Sequence, residues 1–305
     1  MFDGIDTVVL PAAEIASLET LYVEGLGFSK VADEPVDDPA WQQLWGLPVA
    51  PTRKVLLAKP QSNGGWILLV EAPGLPAAEE AGRPDRPGPY ALDFYQRDAA
   101  AAEARLEEAG WQFRSPATHY SLPGTDIPVR ERMLEQPVSG LVHASVQYRE
   151  RGTRCVIDHD PSEHTSEVNA VVFMTDRFAQ ACSFAEDVLG GRKYFEGRFD
   201  DPAVAEMLGL DEGEGFAAAL FRGPGSRNAR LEFGEAMPGG RDADPVPRVV
   251  ASCAVDDLDA LAADVADGAH GPSTGILTAT DSSGTSRRLG LRTVYGAAFE
   301  FFQRG

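Results

Sequence analysis

The segment DDPAWQQLWGLP (37–48) is nearly repeated as DDPAVAEMLGLD (200–211), 163 residues further along the chain. Each copy carries an aspartate suited to capping a helix, a proline suited to its first position and a glycine suited to ending it. These residues are Asp38, Pro39 and Gly46 in the first copy, and Asp201, Pro202 and Gly209 in the second. The apolar positions differ, with Trp41 against Val204 and Trp45 against Leu208. We interpret the repeat as a folding signal and expect the differing apolar side chains to face a pocket or core; the alternative is chemistry used twice.

The repeat extends well beyond this helix. At the same offset, IDTVVLPAAEIASLETLYVEGLGF (5–28) aligns without gaps on VNAVVFMTDRFAQACSFAEDVLGG (168–191). Further on, PGPYALDFYQRDAAAAEARLEEAG (87–110) aligns on PVPRVVASCAVDDLDALAADVADG (245–268) at an offset of 158. The chain is therefore two copies of a unit of about 150 residues.

Each copy divides again into two modules of the order strand, helix and three strands. Apolar runs rich in β-formers predict strands, and helical spacing that ends at glycine predicts helices. In the first copy the predicted helices are Ala12–Glu24 and Ala99–Ala109, and the predicted strands are Ile5–Leu10, Phe28–Val31, Val55–Ala58, Trp66–Glu71, Tyr90–Gln96, Trp111–Arg114, Ile127–Leu134 and Leu141–Tyr148. The pattern occurs four times and indicates an α+β protein.

The composition restricts the partners. The net charge is −20 and the pI about 4.6, which argues against binding to nucleic acid or to an anionic membrane. No apolar run approaches the roughly 20 residues of a membrane span, and the acidic start MFDGID does not resemble a signal peptide. The three cysteines have no CxxC spacing and are expected to be reduced thiols. We expect a cytoplasmic protein.

The modules resemble the vicinal oxygen chelate superfamily, which includes glyoxalases, bleomycin-resistance proteins and extradiol dioxygenases. The stretches that carry the resemblance are LYVEGLGF (21–28), SFAEDVLGG (183–191), LLVEAPG (68–74), LEQPVSG (134–140) and YGAAFEFF (295–302). It implies four βαβββ modules that form two glyoxalase-like domains with curled mixed sheets, each around a pocket. The expected domains are 1–152 and 167–305, joined by a linker over 153–166 that includes the polar cluster from Asp158 to His164.

Enzymes of this superfamily usually hold a divalent metal through histidine or glutamine on the first strands and glutamate on the last. The matching first-strand positions here are Thr7, Ala91, Ala170 and Val249 or Val250, and the last-strand positions are Leu68, Ala144, Glu232 and Glu300. Two carboxylates without imidazole make a poor transition-metal site. We therefore expect no metal and no cofactor. The alternative is an extradiol-dioxygenase-like metalloenzyme whose ligands lie at other positions.

The remaining glutamates are the candidate catalytic residues. Glu300 and Glu232 are predicted to face one cavity as acid and base, or instead to pair with an arginine such as Arg288 or Arg292. The candidate substrate-binding residues are Ser252, Arg292, Asp93, His119 and Tyr120.

We expect a small organic ligand in a cup-shaped pocket and lyase- or isomerase-type proton transfer without a metal. The alternative is a non-catalytic binding or drug-resistance protein, which would sequester its ligand. The protein is expected to be a monomer or a homodimer.

Overall fold

The computed structural model describes residues 2–78, 84–136, 138–149, 155–211, 213–223, 229–235, 244 and 246–303. The predicted boundary between 152 and 153 lies outside these residues. The α+β class and the four βαβββ modules are confirmed, with an additional short helix before the third strand of the first and third modules.

The first module contains β1 (Thr7–Ala12), α1 (Ala16–Thr20), β2 (Ser29–Pro35), α2 (Ala40–Leu44), β3 (Arg53–Ala58) and β4 (Trp66–Glu71). The second contains β5 (Gly88–Gln96), α3 (Ala99–Glu108), β6 (Thr118–Ser121), β7 (Pro128–Glu135) and β8 (Val142–Gln147). After α4 (Val156–His159), the third contains β9 (Ala170–Thr175), α5 (Phe178–Ser183), β10 (Arg192–Phe199), α6 (Pro202–Leu208), β11 (Phe216–Arg222) and β12 (Arg230–Glu235). The fourth contains β13 (Val250–Val255), α7 (Leu258–Asp264), β14 (Ser273–Asp281), β15 (Gly284–Arg292) and β16 (Ala298–Gln303).

Two predicted elements differ from the structure. The first helix begins at Ala16 rather than Ala12, because β1 stays paired with β4 as far as Ala12, and one turn of π-helix over Leu21–Gly25 completes it. The predicted strand Trp111–Arg114 is wrong, because only Phe113 pairs with β7, through an isolated bridge. The apolar side chains of this segment reflect packing against the core rather than strand pairing.

The modules pair crosswise between the two copies. One sheet has the order β14-β15-β16-β13-β1-β4-β3-β2 and combines the first and fourth modules; the other has the order β10-β11-β12-β9-β5-β8-β7-β6 and combines the second and third. Antiparallel pairing of β1 with β13 and of β5 with β9 joins the modules. The expectation that each half of the chain closes its own sheet is therefore wrong, because the free edges of the first strands are satisfied by the other half. The bounds of the two halves remain a prediction.

The repeated segment forms α2 and α6. The predicted cap, first-position proline and terminal glycine are confirmed in α6, whereas α2 begins one residue later than predicted, at Ala40, with Pro39 at its N-cap. The Asp38 carboxylate accepts hydrogen bonds from the Ala40 amide at 2.9 Å and from the Thr280 amide of β14 at 2.8 Å. Asp201 accepts from the Ala203 amide at 2.8 Å, and Gly209 ends α6 with a φ of 77°. Helix α2 packs against β14 and β15, and α6 against β6 and β7. Each short helix therefore covers the concave face of the sheet that its own module shares.

A single apolar core fills the space behind both concave faces. Strand alternation sends Phe299 and Phe301 into this core, while Ala298 and Glu300 face the concave side. The rings of Phe173 and Phe299 connect the two sheets with their centroids 6.0 Å apart. Cys155, Cys182 and Cys253 are buried free thiols. Within the described residues, no helix combines the length and apolar character that a membrane crossing requires.

Two tryptophans of α2 pack on the concave face between the first and fourth modules, and we call this face the filled cup. Trp41 and Trp45 of α2 stack there with centroids 5.0 Å apart, and Trp45 is 1% exposed. The Trp45 indole donates to Glu300 Oε2 at 2.6 Å. Arg288 forms a salt bridge with the other oxygen of Glu300, and its guanidinium lies 4.8 Å from the Trp41 ring centroid. The buried charge of Glu300 is thus fully compensated by the protein itself.

Arg288→Ala should lower the free energy of unfolding by about 3–5 kcal/mol, because it leaves the buried Glu300 carboxylate without its cation. Denaturant unfolding at pH 7 measures this loss. Arg287→Ala is the matched control, since Arg287 pairs with Asp259 on the surface and its removal should leave the midpoint unchanged. The double variant Arg288→Ala/Glu300→Gln should recover much of the stability. Equal effects of Arg288→Ala and Arg287→Ala would contradict this account of the filled cup.

Candidate functional site

The concave face between the second and third modules holds a cavity of about 160 Å³, and we call it the open cup. Helix α6 covers it as α2 covers the filled cup, but α6 presents Val204 and Leu208 where α2 presents Trp41 and Trp45. The smaller side chains leave the space that the two indoles occupy in the filled cup. The difference between the copies of the repeated segment therefore decides which cup stays open.

Three carboxylates from three strands line the open cup: Asp93 on β5, Glu131 on β7 and Glu232 on β12. Strand alternation places Asp93 on the cup face while its neighbours Leu92 and Phe94 enter the core. On β7, Glu131 faces the cup between two arginines that point away from it. Arg130 forms a salt bridge with Glu103 of α3 at 2.7 Å, and Arg132 forms one with Glu107 at 2.9 Å.

Burial and mutual repulsion hold protons on these carboxyl groups. Burial, with the nearby Glu131 charge, raises the pKa of Asp93 to about 8, although Arg230 acts in the opposite direction. Burial and the charges of Asp93 and Glu131 raise the pKa of Glu232 well above its ordinary value. In the described part of the chain, neither Asp93 nor Glu232 has a hydrogen-bond or salt-bridge partner for its carboxylate. These two carboxyl groups are therefore available to a ligand.

Tyrosines and one arginine complete the polar part of the open cup. The Tyr120 hydroxyl donates to Glu131 Oε2 at 2.5 Å, and burial raises the pKa of Tyr120 well above its ordinary value, so this hydroxyl keeps its proton. Arg230 of β12 donates to the Tyr95 hydroxyl at 3.2 Å, and its guanidinium lies 5.8 Å from the Tyr194 ring centroid. The Tyr194 hydroxyl is buried and has no hydrogen-bond partner among the described residues.

The predicted site residues divide between the two cups. Asp93, Tyr120 and Glu232 meet in the open cup, whereas Glu300 lies in the filled cup and Ser252 is paired in register with it. The predicted acid–base pair of Glu300 and Glu232 is therefore wrong, because crosswise pairing puts their strands in different sheets. The alternative that Glu300 pairs with Arg288 is confirmed.

Two predicted substrate-binding residues do not reach the cavity. His119 is exposed on β6, on the side opposite Tyr120, because successive strand residues face opposite ways. Arg292 is exposed at the end of β15, with its aliphatic stem near Gly46 next to α2.

Sequence reasoning missed Glu131, Arg230, Tyr95 and Tyr194. Alternation in VRERM offered a signal for Glu131, since Val129, Glu131 and Met133 share one face and two of them are apolar. Arg230 lies two residues before Glu232 and so shares its face. Tyr95 and Tyr194 can be recognised as site residues only when the pairing of β5 with β9 is known, because that pairing places the second and third modules in one sheet.

His143 and the predicted linker make structural contacts rather than contacts with the open cup. His143 faces away from the cup; its Nε2 lies 2.8 Å from the Tyr22 hydroxyl, and burial lowers its pKa to about 4. In the predicted linker, Val156 and Ile157 are buried, and Glu163 forms a salt bridge with Lys59 at 2.9 Å. The linker is therefore packed onto the protein rather than loosely solvated.

The donor set of the open cup does not fit the transition-metal centre that the fold family implies. Its lining includes three carboxylates and a buried arginine, but no imidazole or thiol. No group of three histidine, cysteine, aspartate or glutamate side chains is arranged to hold a metal ion in the part of the chain that the structure describes.

Asp93→Asn should flatten the fall of stability with rising pH. The folded-state pKa of Asp93 is raised, so the folded state binds more protons than the unfolded state between about pH 4 and 8, and stability is lost as pH rises through that window. Between pH 6 and 8.5 the variant should gain on the order of 2–3 kcal/mol relative to the wild type. Denaturant unfolding at both pH values measures this gain. The surface variant Glu108→Gln should follow the wild type, and equal slopes for all three proteins would contradict the shift.

Comparisons with known proteins identify the fold. No family model and no curated protein sequence matches the chain. A structure described as a putative dioxygenase from Bacillus subtilis subsp. subtilis str. 168 superposes with a TM-score of 0.64 at 16% identity, covering 99% of this chain and 85% of that one. Glyoxalase I from Zea mays superposes with a TM-score of 0.65 at 11% identity, covering 99% and 92%. The chain therefore has the two-domain vicinal oxygen chelate fold.

Proposed function

We propose that the protein binds a small organic molecule in the open cup. The observation that carries this proposal is the contrast between two cups of one scaffold. In the filled cup, two tryptophans occupy the space and an arginine compensates the buried glutamate. In the open cup the space remains, and Asp93 and Glu232 have no partner among the described residues. Their carboxyl groups are partly exposed to this cavity, so a ligand that enters it can hydrogen-bond to them.

The proposed binding does not depend on a metal. Hydrogen bonds from Tyr194 and to Asp93 and Glu232 would orient the ligand, and the aromatic side chains of the wall would enclose its apolar part. The three buried reduced cysteines suit a reducing compartment, and we propose the cytoplasm as the setting.

Whether the open cup binds a ligand is tested by placing in it a tryptophan like that of the filled cup. Leu208→Trp introduces the residue that the repeat carries at Trp45, and it should fill the open cup without breaking a polar contact of the Leu208 side chain. Ligand-observed NMR with a library of water-soluble aromatic fragments should show binding to the wild type and at least tenfold weaker binding to Leu208→Trp. Ala104→Trp, on the exposed side of α3, is the matched control and should bind like the wild type. Unchanged binding to Leu208→Trp would place the fragments elsewhere and contradict the proposal.

Proton transfer is the second candidate function, and the Asp93 carboxyl group favours it. A carboxyl group with a pKa of about 8 can exchange protons with a bound molecule near neutral pH, and Glu232 lies close enough to repel it electrostatically. Glu232 would thus keep the role expected from the sequence, with Asp93 in place of Glu300. This arrangement suits lyase or isomerase chemistry.

Deuterium exchange separates an enzyme from a binder. Aldehydes and ketones that bind in the fragment screen are incubated with the protein in D₂O, and loss of the C–H signal next to the carbonyl is followed by NMR. If the cup transfers protons, Glu232→Gln should abolish exchange even at ligand concentrations at which NMR still detects binding to the variant. Binding without exchange in the wild type would establish a sequestering protein instead, and exchange that survives in Glu232→Gln would exclude Glu232 from the chemistry.

A further inference from the structure

The charges in the open cup do not balance. Its lining has three carboxylates, Asp93, Glu131 and Glu232, against one guanidinium, Arg230. When the carboxylates ionise, the cup has an excess of two negative charges. Two other buried carboxylates are compensated directly by arginines, Glu103 by Arg130 and Glu300 by Arg288. The open cup lacks such an arginine for Asp93 and Glu232 among the described residues.

Arg230 is engaged with tyrosines rather than with the acids. Its Nη1 donates to the Tyr95 hydroxyl, and the guanidinium carbon lies 5.7 Å from the Tyr95 ring centroid and 5.8 Å from that of Tyr194. It makes no salt bridge with a carboxylate of the cup within the described residues. Two carboxyl groups therefore lie open to the cavity, while Arg230, the one cationic side chain in the described part of its lining, is engaged with Tyr95 and Tyr194.

The walls of the cup add a second, independent signal. Aromatic rings form much of them: Tyr90, Tyr120, Tyr194, Phe195, Phe199 and Phe216. Phe199 and Phe216 stack at 4.9 Å, and Tyr120 meets Phe199 edge to face at 6.1 Å, so the wall is continuous. Aromatic faces attract cations through their quadrupoles, most strongly where water is excluded. The unpartnered, buried Tyr194 hydroxyl offers one more oxygen to a ligand.

We propose that the ligand of the open cup is a small organic cation, an amine or a quaternary ammonium compound, held by Asp93 and Glu232 against the aromatic wall. This inference rests on the proposed function and specifies its ligand class. A bare metal ion is disfavoured because the aromatic wall supplies no ligands, and a volume of about 160 Å³ suits a molecule rather than an ion. Once Asp93 and Glu232 ionise, an organic anion would be repelled by them.

In the ligand-free protein, the carboxyl groups of the open cup carry protons. A bound cation favours their ionised form, so the affinity for the cation should increase with rising pH. Burial and Glu131 raise the pKa of Asp93 to about 8, and a bound cation would lower it and release the proton. The affinity for the cation should therefore increase as the pH rises from 6 to 9. The increase is about tenfold for each unit by which the bound cation lowers the pKa of Asp93. The charged or titratable groups that face Asp93 from neighbouring elements are Glu131 of β7, Tyr120 of β6, Glu232 and Arg230 of β12, and Tyr194 of β10.

A set of three aromatic probes of similar size tests the ligand class. Trimethylphenylammonium, tert-butylbenzene and benzoate differ mainly in charge, and calorimetry or ligand-observed NMR measures their affinities at pH 6, 7.5 and 9. We expect trimethylphenylammonium to bind best, at least tenfold better than the neutral probe, and to bind more tightly at pH 9. Calorimetry in buffers of different ionisation enthalpy should show proton release on binding.

Variants assign the effect to the cup. Asp93→Asn should weaken trimethylphenylammonium about tenfold and reduce its pH dependence, and Glu232→Gln provides an independent second variant if the first folds poorly. Glu108→Gln removes one exposed negative charge and should change neither property. Leu208→Trp should abolish binding of the probe.

The outcomes separate the two proposals. Stronger binding of tert-butylbenzene or benzoate in the cup, or affinity that falls with pH, would overturn the cationic ligand and leave the binding cup standing. A Mn²⁺ ion that binds stoichiometrically and is lost in Asp93→Asn would overturn it in favour of a metal. Failure of all three probes to bind, or binding that survives Leu208→Trp, would overturn both proposals.

Discussion

A buried carboxylate must be compensated, and the two cups of this protein meet that requirement in different ways. In the filled cup, Arg288 and the Trp45 indole satisfy Glu300, and the tryptophans of α2 exclude water. Among the described residues of the open cup, no side chain forms a salt bridge with Asp93 or Glu232 or donates a hydrogen bond to them. Protons and water therefore compensate these carboxylates. The proposed function follows from this asymmetry, since a ligand that enters the open cup can supply what Arg288 and Trp45 supply in the other.

Strand register relates the two cups position by position. In the filled cup, Ser252 pairs with Glu300, which pairs with Gly290, two residues after Arg288. In the open cup, Asp93 pairs with Ala144, which pairs with Met133, two residues after Glu131. Ser252 therefore corresponds to Asp93, Glu300 to Ala144 and Arg288 to Glu131. The duplicated scaffold has kept its backbone while the carboxylates moved to other strands, and the cation at the Arg288 position became an anion. A few substitutions thus separate a structural cup from a candidate binding cup.

Local patterns predicted the modules, and distant pairing decided the site. The helix signals around Asp38 and Asp201, and the apolar runs of the strands, depend on neighbouring residues, and those predictions hold. Asp93, Tyr120 and Glu232 were found because strand alternation and the family resemblance placed them near a concave face. Glu300 was assigned to the wrong cavity because sequence order gave no sign that β1 pairs with β13 and β5 with β9. Glu131 was overlooked because alternation assigns it to one face of β7 without showing that this face lines a cup.

The central claim is that the open cup holds carboxyl groups which the protein itself leaves uncompensated. The most direct measurement is a ¹³C NMR titration of the side-chain carboxyl signals of the ligand-free protein, with Asp93 assigned by comparison with Asp93→Asn. The account predicts that Asp93 titrates near pH 8. Titration of Asp93 near its ordinary value of about 4 would mean that the cup stabilises the charge already, and it would contradict the account.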